Sequence, residues 1–257
     1  MDTNNSLKER LGDKEKNKLI HFRQIIFLFF LLVMVVVFSG TFFEQNIQVY
    51  KLLVSFYIVV TGMMLIPCIK VELNYSNVLH TFVFYFPMYI WGIVILTKEI
   101  FCRVDVRTIE ISIICCLLLL IGRFSDIKKI ICIKYVHSNI SNKKFVSEVL
   151  DRIIAIISEE FYYSAYVVTV LNYEIYSVAV SGFLFVIAHY LNRWAKKMFS
   201  IKDYIFIFIL GIMKSLLFVR THNILIPIMI HLMYNSTDFY TLIKRKMTSN
   251  NVLFDDY

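Results

Sequence analysis

The feature that most constrains this chain is the length of its uncharged apolar runs. The stretch 25–43 (IIFLFFLLVMVVVFSGTFF) carries no charged side chain, and about 20 such residues suffice to cross a bilayer as a helix. In hydrocarbon a segment must pair its own backbone polar groups, so such a run becomes an α-helix. It ends in bulky Thr41-Phe42-Phe43-Glu44 with no small-residue cleavage site, which reads as a retained helix and not a signal peptide.

Comparable runs follow at 52–71, 78–96, 108–122, 153–171, 175–191, 204–219 and 224–243. The predicted fold is therefore all-α, a polytopic membrane bundle of about eight transmembrane helices. The fourth run is the weakest, because only 111–122 is free of charge; a run that short is re-entrant or borrows its flanks to cross. The chain divides into a basic N-terminal tail (1–24), N-terminal membrane helices (25–122), a polar connection with an amphipathic surface segment (123–152), a second membrane core (153–243) and a C-terminal tail (244–257).

Lys and Arg fix the expected orientation, since they concentrate in cytoplasmic loops. Lys8, Arg10, Lys14, Lys16, Lys18 and Arg23 crowd the N-terminal tail, and Lys244, Arg245 and Lys246 follow the last run. With both termini in the cytoplasm, the basic 123–152 and 193–202 loops also lie inside. Lys98, Arg103 and Arg107 are the exception, facing outward beside the weak fourth run.

Composition agrees. The chain is 58% hydrophobic and 18% charged, against about 45–50% apolar in soluble domains. Its net charge of +8 flanks the apolar runs, which points to a lipid bilayer as partner and excludes nucleic acid. Cys68, Cys102, Cys115, Cys116 and Cys132 show no paired framework and no zinc-type spacing.

Ionisable groups inside membrane helices cost about 2.5–3.5 kcal/mol each on insertion scales, so they mark function by default. Here they gather in the C-terminal half: Glu159 and Glu160, His189, Lys214, and His231 with Asn235. Phe185 and His189 are four apart and share a helix face, as do His231 and Asn235. Glu159 and Glu160 point about 100° apart, so one can face a cavity while the other meets a neighbouring helix. In the N-in orientation these groups reach similar cytoplasmic depth. A carboxylate can act as general base on water, and two imidazoles can bind a metal or stabilise an oxyanion. Asn235 can complete the site or orient His231. Glu159 with His189 and His231 would also suit zinc with an open position for water. The plainer readings are an interfacial His189 and an Asn235 that only bonds a neighbouring helix.

At these residues the sequence resembles the CAAX-protease and bacteriocin-processing (CPBP, or Abi) family of intramembrane proteases. Its motifs are EExxxR, FxxxH and HxxxN on successive helices. They correspond to Glu159-Glu160-Phe161-Tyr162-Tyr163-Ser164, Phe185-Val186-Ile187-Ala188-His189 and His231-Leu232-Met233-Tyr234-Asn235. The resemblance covers about 150–240. It implies eight or so membrane helices and peptide-bond hydrolysis near the cytoplasmic leaflet. Glu159 would activate water, His189 and His231 would bind a metal or the oxyanion, and Asn235 would complete the site. Zinc is thus the one candidate cofactor, and a peptide or membrane protein is the expected substrate.

The motif arginine is replaced by Ser164. In the family that arginine would pair with the second glutamate, so Glu160 needs another cation, and Lys214 is the candidate. Relatives implied by the resemblance act in bacteriocin immunity, peptide maturation and surface-protein control. The Ile-, Lys-, Asn- and Tyr-rich composition suits an AT-rich bacterial genome and a plasma membrane. Two other classes compete: a non-catalytic immunity or scaffold protein, and a transporter using Glu159, Glu160 and His231 as a proton relay. The two halves do not mirror one another, which ranks the transporter last.

Overall fold

The computed structural model describes residues 25–26, 28–37, 47–65, 77–94, 103–122, 124, 127–128, 140–191 and 199–251. Every regular element among them is helical. In chain order these are α1 (Leu28–Val37), α2 (Ile47–Leu65), α3 (Asn77–Val94) and α4 (Val106–Gly122). Next, α5 runs through Asn142–Glu159, a π-helical turn Glu160–Val167 and a last turn Val168–Val170. The remainder are α6 (Ile175–Leu191), α7 (Ile201–Thr221), α8 (Leu225–Tyr234) and α9 (Ser236–Asn251).

Local chemistry sets the helix starts. Ser141 caps α5 by accepting from the Lys144 amide at 3.2 Å, satisfying a donor that has no partner within the helix. A capping box of Ser200 and Asp203 opens α7. Asp105 precedes α4, accepting from the Thr108 amide at 2.8 Å and its hydroxyl at 2.7 Å. Those bonds hold the Asp105 carboxyl below its ordinary range. Between α5 and α6 the chain reverses through Asn172 and Tyr173, both at positive φ (58° and 59°).

The π-helical turn of α5 lies at the centre, packed against α3, α6, α7 and α8. Its Tyr162, Tyr163 and Tyr166 are buried with Phe56, Val59 and Met88. Tyr162 Oη and Ser55 Oγ are 3.0 Å apart, tying α5 to α2. Backbones approach closely where α6 crosses α7, and a Cβ built on Gly211 would lie 2.9 Å from the Gly182 Cα. Only glycines permit that approach. Outside the core, Phe30, Ile93, Leu118 and Phe183 point outward and exposed, as helix faces bathed in lipid do.

Against the expected spans, two helices among the described residues are long and apolar enough to cross a membrane, 142–170 and 201–221. The other apolar helices are shorter, so the count of eight is not established by length. The fifth run begins earlier than its hydropathy suggests, because amphipathic residues from Asn142 continue directly into it. The last run, expected as one span over 224–243, is two helices. Asn235 leaves helical geometry (φ −86°, ψ 9°), and polar Ser236, Thr237 and Asp238 open α9, residue types that favour helix starts over interiors. The basic tail 1–24, the 129–139 part of the connection, 192–198, 252–257, Lys98, Cys68, Cys102 and Cys132 lie outside the described residues. Cys115 and Cys116 are free thiols.

Candidate active site

Four helices bring their polar residues to one end of the bundle. There α7 begins and α6 and α8 end, beside the middle of α5, so side chains distant in sequence share one level. A cavity of ≈ 230 Å³ opens at that end, lined by Glu159, Phe185, His189, His231 and Asn235. These five were singled out from the sequence, and the fold gathers all of them. Arg152, Phe199, Asp203, Thr237 and Asp238 also line the cavity.

The two glutamates separate as their spacing suggests. Glu159 borders the cavity, whereas Glu160 is fully buried beneath it. Lys214 of α7 forms a buried ion pair with Glu160 Oε1, so the cation expected in place of the motif arginine is there. Ser164 donates to the other oxygen, Oε2, at 2.5 Å. His231 Nδ1 lies 2.6 Å from Oε1. Lys214 Nζ is also 3.2 Å from that nitrogen, but an ammonium has only donors. The consistent assignment is that Lys214 and the His231 Nδ1–H both donate to Glu160. The sequence flagged Ser164 only as a loss; in the fold it is a ligand of Glu160, visible in hindsight as a hydroxyl four residues on.

That network orients His231. With Nδ1 held by Glu160, Nε2 points to Glu159, 3.8 Å from Oε2. The gap is too long for a direct hydrogen bond, which leaves both atoms available to a third group. Tyr85 of α3 is near enough to Glu159 for the two side chains to interact, a neighbour that nothing in the motif pattern indicated.

Phe185 is the spacer between the charged residues. Lys214 Nζ sits 3.9 Å from its ring centroid, a cation–π contact, and its edge meets His189 and His231 at centroid distances of 4.4 and 5.8 Å. His189 Nδ1 lies 2.9 Å from the Phe185 carbonyl oxygen. A carbonyl only accepts, so Nδ1 carries the hydrogen and a neutral ring leaves Nε2 as an acceptor. The ring also stacks on Phe199.

These commitments bear on zinc. Each imidazole has Nδ1 engaged, His189 by a carbonyl and His231 by Glu160, which leaves Nε2 of each open, the arrangement usual for metal-binding histidines. Among the described residues no three His, Cys, Asp or Glu side chains converge as a metal-holding group. As placed, Glu159, His189 and His231 border one cavity without gathering around a single point.

The family model described as type II CAAX prenyl endopeptidase Rce1-like matches residues 143–237. That match spans α5 to the start of α9 and contains Glu159, Glu160, Phe185, His189, Lys214, His231 and Asn235. This segment is a CPBP-family domain. The family that this segment matches is one of CAAX proteases. Family and exposed apolar helices together assign the protein to a membrane. No curated protein and no solved structure matches the chain at a significant level.

Proposed function

We propose that the chain is an intramembrane endopeptidase that hydrolyses a peptide bond near the cytoplasmic leaflet, with Glu159 as the base that activates water. One observation carries this reading: a carboxylate and two imidazoles border one cavity, above a buried ion pair that fixes one imidazole.

Charge balance supports the roles. Two carboxylates and one lysine in a buried cluster leave one proton to be shared by Glu159 and His231. With that proton on His231, Glu159 is a base and the His231 Nε2–H is a donor aimed at the cavity. Glu160 stabilises the imidazolium, and Lys214 offsets Glu160. A water between Glu159 and the acceptor Nε2 of His189 loses its proton to Glu159 as its oxygen attacks the carbonyl carbon. His231 Nε2–H and Asn235 donate to the oxyanion. Collapse breaks the C–N bond, and Glu159 returns the proton to the leaving amine. No step is routed through zinc. A zinc-dependent form of the proposal requires Glu159 and the Nε2 atoms of His189 and His231 to draw together on one ion, and metal analysis of the purified chain tests it.

The proposed setting is a bacterial plasma membrane, crossed about eight times with both termini inside, and a role in bacteriocin immunity or peptide processing. The alternative is a non-catalytic immunity or scaffold protein of the same fold, favoured by the Ser164 departure from the motif. Glu159→Ala and His231→Ala, each checked for expression, separate the two. Loss of cleavage and of the associated phenotype in both supports the protease; an intact phenotype in both supports the scaffold.

A further inference from the structure

Tyr163 stands out among the buried groups that the mechanism above does not use. Its side chain is 1% exposed, and its ring packs edge-on against Tyr162 and Phe185 at 4.9 and 5.2 Å. Phenylalanine would satisfy that packing equally well. The hydroxyl has no hydrogen-bond partner among the described residues, whereas buried tyrosine hydroxyls as a rule find one.

Tyr163 lines a second, smaller cavity of ≈ 10 Å³, together with Met63, Met88, Glu159, Ala188 and His189. That volume corresponds to about one water molecule, which also needs two to four polar partners. Tyr163, Glu159 and His189 provide three, and the rest of the lining is apolar. Glu159 and His189 also border the large cavity, so the small one adjoins the space proposed for substrate.

We propose that this small cavity seats the hydrolytic water and that the Tyr163 hydroxyl is its third ligand; this rests on the protease reading. The water donates one hydrogen to Glu159 and the other to His189 Nε2. Tyr163 O–H donates to one of its lone pairs. The second lone pair is left free to attack, and the leaving proton already lies on the Glu159 hydrogen bond. Three fixed contacts orient the nucleophile before substrate arrives, which is where positioning lowers a barrier.

Two readouts on the full chain in lipid nanodiscs test this. The first is an experimental structure at a resolution that reveals ordered water, for wild type and Tyr163→Phe. A water within hydrogen-bonding distance of Tyr163 Oη, Glu159 and His189 is expected in wild type and displaced in the variant. Its absence from wild type overturns the proposal, whatever the protein's activity. The second is cleavage of a quenched-fluorescent peptide library, with Glu159→Gln as the blank. Tyr163→Phe is expected to lower kcat by about 10-fold at unchanged KM, whereas a purely structural role would shift stability and leave that split unaffected. Unchanged kcat overturns the hydroxyl's part in the reaction. If wild type cleaves no better than Glu159→Gln, the protease reading fails, and with it the hydrolytic role; the structural readout then decides the water site alone.

Discussion

Replacing Lys214 with Met removes a buried cation and keeps most of the side-chain volume. Lys214 is 1% exposed and Glu160 0%, so water cannot reach in to replace the lost charge. The thioether can still lie against the Phe185 ring that the ammonium covers. What changes is the charge balance: Glu160 keeps Ser164 and His231 but loses its full counter-charge. Removing one partner of a buried ion pair costs about 3–5 kcal/mol, and at roughly 2–4 °C per kcal/mol for a chain of this size Tm falls by about 6 °C or more. Thermal unfolding of the full chain in nanodiscs reads this directly. Glu160→Gln alone is expected to be comparably damaging, because it strands Lys214. The double variant Lys214→Met/Glu160→Gln leaves no unpaired charge and should be more stable than either single variant, a coupling expected of residues in contact. A silent Lys214→Met, or a double variant that loses the sum of the two, would refute the ion-pair reasoning.

Other outcomes follow from the same geometry. Gly211→Ala places a methyl 2.9 Å from the Gly182 backbone, so α6 and α7 must part at a cost of about 1–3 kcal/mol; a lower Tm with reduced cleavage is expected, since His189 and Lys214 ride on those helices. Asn235→Ala removes a proposed oxyanion donor and should lower kcat about 10²–10³-fold in a peptide-cleavage assay with little change in Tm. Treatment with a chelator followed by zinc should leave cleavage unchanged, because among the described residues no three ligand side chains converge on one point; loss on chelation and recovery with zinc would reverse that expectation.

Much of the site was legible in the sequence because charge inside an apolar run has few innocent explanations. Glu159, Glu160, His189, Lys214 and His231 are conspicuous for that reason alone. The Lys214–Glu160 pair followed from counting charges, since a buried carboxylate without its motif arginine must find a cation. Boundaries were harder. Asn235 to Asp238 is a polar break in the 224–243 run, but polar side chains also mark function inside a single span, so the break alone does not reveal that α8 stops there and α9 begins. The reach of α5 back to Asn142 was masked by its amphipathic first half. The π-helical turn at Glu160–Val167 is a change in hydrogen-bond register, which hydropathy does not encode, although such turns frequently occur at functional sites. Tyr85 and Tyr163 were invisible for another reason: a tyrosine in a membrane helix resembles any other apolar aromatic until a carboxylate is found beside it.

The central claim is that Glu159 turns a water molecule into the nucleophile. The most direct measurement is peptide cleavage by the full chain in H₂¹⁸O, comparing wild type with Glu159→Gln by mass spectrometry. The account predicts products bearing one ¹⁸O in the new C-terminal carboxyl for wild type, and none above background for the variant. Equal cleavage by the Glu159→Gln protein would contradict it.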